Sequence, residues 1–319
     1  MARRSPNSSR PVRPSSTPAR RKGIPLTPLA QQMLQDMQLA GLAERTHESY
    51  LRAVRKFAQW LNKSPELASE NDLRRYLLFI KNDQQWEGNS LKVAYSGIKF
   101  FYSRTCPQEW PTLSKLRVPK QLKLPTVLSI PEVDQLIAAI RKPALRCFFW
   151  TVYSLGLRLQ EALHLQVFDI DSKRMMVHVR RGKGHKDRFV PLTPTTLDML
   201  RAHWLTHRHP HWLFPCEGRN HQQSSTAERP MAAKTAQDCI LKVVDELGWS
   251  QRGVSTHTLR HCFATHLLED GTNLRQIQKY LGHSSLQSTM IYLHLTTVGE
   301  EVAVAKLNAL MDRQVSYHV

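Results

Sequence analysis

Prolines recur at 107, 111, 119 and 125, and each fixes φ and removes an amide donor. Neither a helix interior nor a central strand runs through such a stretch. Lys115, Arg117, Lys120 and Lys123 lie among these prolines and keep the segment in water. Residues 106–126 therefore read as a basic linker. The fold must then be two domains, each closing its own core, which suits a chain of 319 residues.

The N-terminal side begins with residues 1–26, where Arg3, Arg4, Arg10, Arg13, Arg20, Arg21 and Lys22 sit among prolines and serines without an acidic residue. This composition buries no core and predicts a disordered basic tail, either an arm along DNA phosphates or a solvated end. Order is expected from Thr27, which caps a helix with Pro28 in its first turn and Leu29, Met33, Met37 and Ala40 at helical spacing up to Gly41. A second helix from Glu44 places Tyr50, Val54, Phe57 and Leu61 on one face. Residues 70–82 and 89–104 read as two more. Together they make a small helical domain over 27–105, with its aromatic residues in the core.

The second domain is expected over 127–313, followed by a short tail at 314–319. Ser129 and Glu132 have capping-box spacing before the apolar stripe Leu136, Ile137 and Ile140. Residues 174–192 change period, and Met176–His178 and Phe189–Val190 flank a Gly-Lys-Gly turn as a β-hairpin. Helices are expected at 193–204, 230–247, 257–270, 272–281 and 285–296. An amphipathic stretch follows at 298–311. The fold class is mainly α with a small β-hairpin.

Lys+Arg outnumber Asp+Glu by 45 to 26, a formal charge of +19, which favours a polyanionic partner: nucleic acid or an anionic membrane surface. No apolar run approaches the ~18 residues of a membrane span, and no leader-like apolar segment opens the chain, so a cytoplasmic protein is expected. Cysteines at 106, 147, 216, 239 and 262 are odd in number and form no CxxC pair, which argues against disulfides and zinc ribbons. Cys262 is expected to be a small core residue. No cofactor or metal is expected.

Chemistry concentrates in GLRLQEALHL (156–165), RRGKGHKDR (180–188), HTLRHCFATHLLEDG (257–271) and LGHSSLQSTMIYLHL (281–295). His257 and Arg260 lie three apart and share a helical face, while His261 is expected to point elsewhere. An arginine fork beside an imidazole suits a phosphate. Metal binding by His257, His261 and His266 is disfavoured, because no carboxylate stands between the first two. His207, His209 and His211 flank Pro210 and are read as a surface loop. Residues 216–231 are read as a polar loop near DNA.

In order along the chain, GLRxxEA, GKGxKxR, HxLRHxxATHL, and LGH with a tyrosine nine residues after its histidine resemble the tyrosine recombinase, or phage integrase, family. The resemblance covers nearly all of residues 27–312 and is nearest to Xer-type and integron- or transposon-associated members. By motif it implies Arg158, Lys183, His257, Arg260, His283 and Tyr292 as catalytic residues. Tyr280 lacks the spacing. Glu161 matches a frequent acidic position that orients its neighbours.

The implied chemistry is physically coherent. The arginines neutralise charge on the phosphate, His257 takes the tyrosine proton, and Lys183 protonates the leaving 5′ oxygen. A 3′-phosphotyrosine conserves the bond energy, so neither ATP nor metal is needed. Lys186 and Arg188, beside the hairpin, are expected to meet DNA backbone or water, with Lys186 a reserve acid. The resemblance also implies a C-clamp around double-stranded DNA and a tetramer that exchanges strands through a Holliday junction. The stretch 298–311 would dock on a neighbouring protomer or pack back on its own domain. Two rivals differ in kind: a noncatalytic DNA-binding regulator, and a type IB topoisomerase-like enzyme that relaxes DNA without strand exchange.

Overall fold

The computed structural model describes residues 26–86, 88–115, 124–180, 187–217, 221–296, 304, 307–309, 311 and 312. The chain divides into two compact units, Met1–Leu122 and Lys123–Val319.

In the first unit the Thr27 side chain accepts from the Ala30 amide and starts α1 (Pro28–Leu39). α2 (Glu44–Leu61), α3 (Glu70–Leu78) and α4 (Gly88–Phe100) follow. α3 and α4 run on into single π turns, Phe79–Asp83 and Phe101–Thr105. Met33, Phe57, Leu73, Ile98, Phe101 and Tyr102 form the core. Each large apolar side chain buried there contributes about 1.5–3 kcal/mol.

This unit extends past the expected boundary at residue 105. A short helix, α5 (Pro111–Lys115), buries Leu113, and Glu70 Oε1 accepts from both the amide (2.8 Å) and the hydroxyl (2.6 Å) of Thr112. Pro111 opens this helix, where a missing amide costs nothing, so the proline marks a helix start as well as a break. Lys115 is exposed at its end. Arg117, Lys120 and Lys123 lie outside the described residues, as does the tail before Leu26.

The second unit opens with α6 (Ile130–Ala138), capped by Ser129 and Glu132. α7 (Pro143–Ser154) and α11 (Thr256–Glu269) contribute Phe148, Phe149, Val152, Leu259 and Cys262 to one core. α8 (Leu159–Leu163), α9 (Pro194–His207), α10 (Ala233–Glu246), α12 (Leu274–Leu281) and α13 (Gln287–Met290) complete the helices. A 3₁₀ turn, Ile291–His294, follows α13.

The expected hairpin pairs β2 (Met176–Val179) with β3 (Arg188–Pro191), antiparallel, with Val177 opposite Val190 and Val179 opposite Arg188. A further strand, β1 (Ile170–Asp171), makes the sheet three-stranded in the order β1-β2-β3. Two residues are too few to show a period, so this strand has no sequence signature. Of the stretch 298–311, only residues 304, 307–309 and 311 are described. There Val304, Leu307 and Met311 are exposed.

Gly156 turns the chain between α7 and α8 at φ +58°, and a Cβ there would stand 2.3 Å from the Phe263 ring on α11. Gly156→Ala combines left-handed backbone strain with overpacking, for an expected loss of roughly 2–4 kcal/mol. Urea unfolding of wild type and variant checks this. An unchanged midpoint would refute it.

Candidate active site

Arg158 immediately precedes α8 and is held by Glu161 within that helix. Glu161 Oε2 accepts from the Arg158 amide (2.8 Å) and Oε1 from Arg158 Nη1 (2.7 Å). The Arg158 guanidinium also reaches the Gly282 carbonyl at 3.5 Å. Glu161 binds a second arginine as a fork: Arg188 Nη1 donates to Oε1 (2.9 Å) and Nη2 to Oε2 (2.7 Å). Arg188 Nε donates to the Tyr280 carbonyl at 2.6 Å. A third guanidinium, that of Arg260, lies 3.7 Å from Glu161. One carboxylate thus gathers three cations and leaves a net positive site suited to an anion.

Arg260 forms the floor. Its Nη1 donates to the Gly156 carbonyl (2.6 Å) and its Nη2 to that of Leu281. Burial, then the charge of Arg158, pushes its pKa down to about 9, still above neutrality. Burial acts to raise the Glu161 pKa, but the hydrogen bonds and charge of Arg188, then those of Arg158, outweigh it and hold it at about 2. The two motif glycines carry this geometry. Gly156 offers a carbonyl to Arg260, and Gly282, at φ +62°, offers one to Arg158 and leaves room for Arg188, whose Cδ would lie 2.8 Å from a Cβ there.

The imidazoles are neutral near pH 7. His257 presents an exposed edge on α11, and desolvation by the surrounding protein, then the charges of Arg260 and Arg158, lowers its pKa. His283 follows the α12 cap, shares a 3.0 Å hydrogen bond with Thr289 Oγ1, and is pushed down to about 3 by burial and then Arg260. Tyr292 lies on the 3₁₀ turn, 1% exposed, packed with Ala264, Ile277 and Leu281. Its ring is nearly parallel to that of His283, at an interplanar angle of 9° and a centroid distance of 6.4 Å. Burial raises the phenol pKa against the pull of Arg260 and Arg158. The resting tyrosine is therefore protonated.

Arg158, His257, Arg260, His283 and Tyr292 thus share one site. Lys183 and Lys186 lie outside the described residues. Arg188 requires a correction. It does not face backbone phosphates or water, because its side chain is 6% exposed and saturated by Glu161 and the Tyr280 carbonyl. His261 requires another. Four residues advance a helix by a little over one turn, so His261 shares the face of His257; their rings stand 4.7 Å apart. Its Nδ1 is hydrogen-bonded to Tyr292 Oη at 3.1 Å. The i, i+4 spacing within HTLRH was the available signal.

His209 also departs from the surface-loop reading. It is buried, and its Nδ1 accepts from the amides of His211 (3.0 Å) and Trp212 (2.8 Å), a structural role. Among the described residues, no group of three or more His, Cys, Asp or Glu is arranged to hold a metal ion, and no helix is long and apolar enough to cross a membrane.

An arginine cluster beside a protonated tyrosine has the make-up expected of a phosphoryl-transfer site with a tyrosine nucleophile. The phage integrase family model matches residues 126–298, and the phage integrase N-terminal SAM-like domain matches 29–112. The chain belongs to the phage integrase family of site-specific DNA recombinases. It is 38% identical over 273 residues to a Sinorhizobium fredii protein named as an integrase/recombinase, covering 85% of this chain and 86% of that one. It is 32% identical over 263 residues to tyrosine recombinase XerA of Thermococcus onnurineus, covering 82% and 88%. Among solved structures, XerH recombinase in a post-cleavage complex with its difH substrate shares the fold at TM-score 0.65 and 22% identity, covering 86% and 84%.

Proposed function

We propose that this recombinase cleaves DNA by attack of Tyr292 on a backbone phosphate, forming a 3′-phosphotyrosyl bond, and exchanges strands through a Holliday junction. The observation that carries this reading is the gathering of Arg158, Arg188 and Arg260 around Glu161, next to the Tyr292 phenol. Arg158 and Arg260 bind the nonbridging oxygens and neutralise the charge that accumulates in the transition state. His283 hydrogen-bonds the same phosphate. His257 assists proton transfer, and Lys183 protonates the departing 5′ oxygen. The phosphotyrosine keeps the energy of the broken bond, so rejoining by a 5′ hydroxyl needs no nucleotide.

Both units engage double-stranded DNA, with the basic residues Lys115, Arg117, Lys120, Lys123 and Lys186 near the backbone. Four protomers assemble on two duplexes. The exposed Val304, Leu307 and Met311 support the reading that residues 298–311 dock on a neighbouring protomer.

Covalent trapping tests the reading. The protein is mixed with nicked duplexes built from DNA flanking its own gene, in the presence of a chelator, and denatured in SDS. A DNA-linked band whose modified peptide contains Tyr292 is expected. Binding without any adduct would point to a noncatalytic regulator, and relaxation of supercoils without strand exchange to a topoisomerase-like enzyme.

A further inference from the structure

The imidazole that touches the reacting oxygen is not that of the His257 and Arg260 pair. His261 Nδ1 lies 3.1 Å from Tyr292 Oη, and the two rings are 5.8 Å apart at 53°. No hydrogen bond joins His257 to the phenol. Its ring instead stands edge-on to that of His261, at a centroid distance of 4.7 Å.

We propose that His261 is the group that accepts the Tyr292 proton during attack, a role that rests on the recombinase reading above. The phenol O–H donates to Nδ1, which places the resting imidazole proton on Nε2. As the Oη–P bond forms, the O–H bond breaks and its proton passes to Nδ1, while the P–O5′ bond breaks and the leaving oxygen takes a proton from Lys183. On rejoining, the Nδ1 proton returns to the departing phenolate.

The surroundings suit this transfer. His261 is half-buried, and the groups that face it are His257 and Arg260 on its own helix and, across from it, Tyr292 and His283. Burial, then the charges of His257 and Arg260, lowers its pKa to about 4. It is therefore neutral and able to accept before DNA arrives. A bound phosphate brings negative charge that favours the imidazolium, so the imidazole becomes a stronger base when substrate is in place. The phenol has its pKa raised by burial and does not ionise unaided at neutral pH.

The test is single-turnover cleavage of a nicked duplex by full-length wild type, His261→Gln and His261→Ala, with DNA binding measured in parallel. Glutamine keeps a hydrogen-bonding side chain on the helix but takes up no proton. Both variants are expected to bind DNA like wild type and to cleave roughly 10²-fold or more slowly. Incorporating difluorotyrosine at position 292 lowers the phenol pKa, so it should restore much of the rate in His261→Gln and shift the pH profile of that variant to lower pH. Cleavage by His261→Gln at the wild-type rate would overturn the proposal, since a hydrogen bond alone would then suffice. Faster cleavage would overturn it by showing that His261 restrains the phenol. A slow variant that difluorotyrosine does not relieve would overturn it by placing the loss in the shape of the site. Absence of a wild-type adduct on bound DNA is a separate outcome, in which the recombinase reading fails and this role fails with it.

Discussion

Tyr292→Phe is expected to abolish the covalent DNA adduct, with cleavage reduced by at least roughly 10⁴-fold, because in the proposed mechanism Tyr292 supplies the attacking oxygen. DNA binding should persist at wild-type affinity. The Tyr292 ring is 1% exposed and packs against Ala264, Ile277 and Leu281, contacts that phenylalanine keeps. Only the hydroxyl and its bond to His261 are lost, for about 0.5–1.5 kcal/mol of stability. Gel shift, SDS trapping and thermal unfolding on the same preparation separate these quantities. An adduct that survives in Tyr292→Phe would assign the nucleophile elsewhere, with Tyr280 the first alternative.

Glu161→Ala should have the second largest effect, and on both stability and activity. Its carboxylate is the shared acceptor for Arg158 and Arg188 and lies 3.7 Å from Arg260. Removing it leaves like charges crowded together and the buried Arg188 without its partner. Breaking a buried pair from one side costs about 3–5 kcal/mol. Arg158 loses its anchor at the same time, so cleavage should fall with it. The pH dependence follows from the carboxyl pKa of about 2 against an ordinary 4.5. A depressed folded-state pKa stabilises the fold fully above about 4.5, and that contribution is lost as pH falls through about 2. Glu161→Gln should lack this part of the acid sensitivity. Urea unfolding between pH 2 and pH 7 measures it, and identical pH profiles for Glu161→Gln and wild type would refute the linkage.

Much of the site was legible because its parts lie in short local patterns. Helical spacing placed Arg260 beside His257, one glycine stood two residues before Arg158 and another just before His283, and Tyr292 followed at a set distance. The glycines have a tertiary reason. Each adopts a positive φ and offers a carbonyl to an arginine, where a Cβ would strike Phe263 or Arg188. The linker was legible only in part. Prolines and charges in 106–126 announce interrupted structure, but α5 folds back because Leu113 finds an apolar core and Thr112 finds Glu70, partners distant in sequence. β1 escaped notice because a two-residue strand owes its existence to its neighbour β2.

The sequence by itself determined the division into two units, the helical periods, the sheet hairpin and the family to which the chain belongs. These follow from nearest-neighbour sterics, apolar periodicity and motif order, all of which are local. Tertiary structure alone decided which charges pair and which remain available. Arg188 stands in a stretch of sequence rich in cations, yet its side chain is drawn inward to Glu161 and the carbonyl of Tyr280. His261 reaches Tyr292 only because the 3₁₀ turn after α13 packs against α11. Charge pairing falls steeply with distance and depends on burial, and neither quantity is defined until residues far apart in the chain have been brought together.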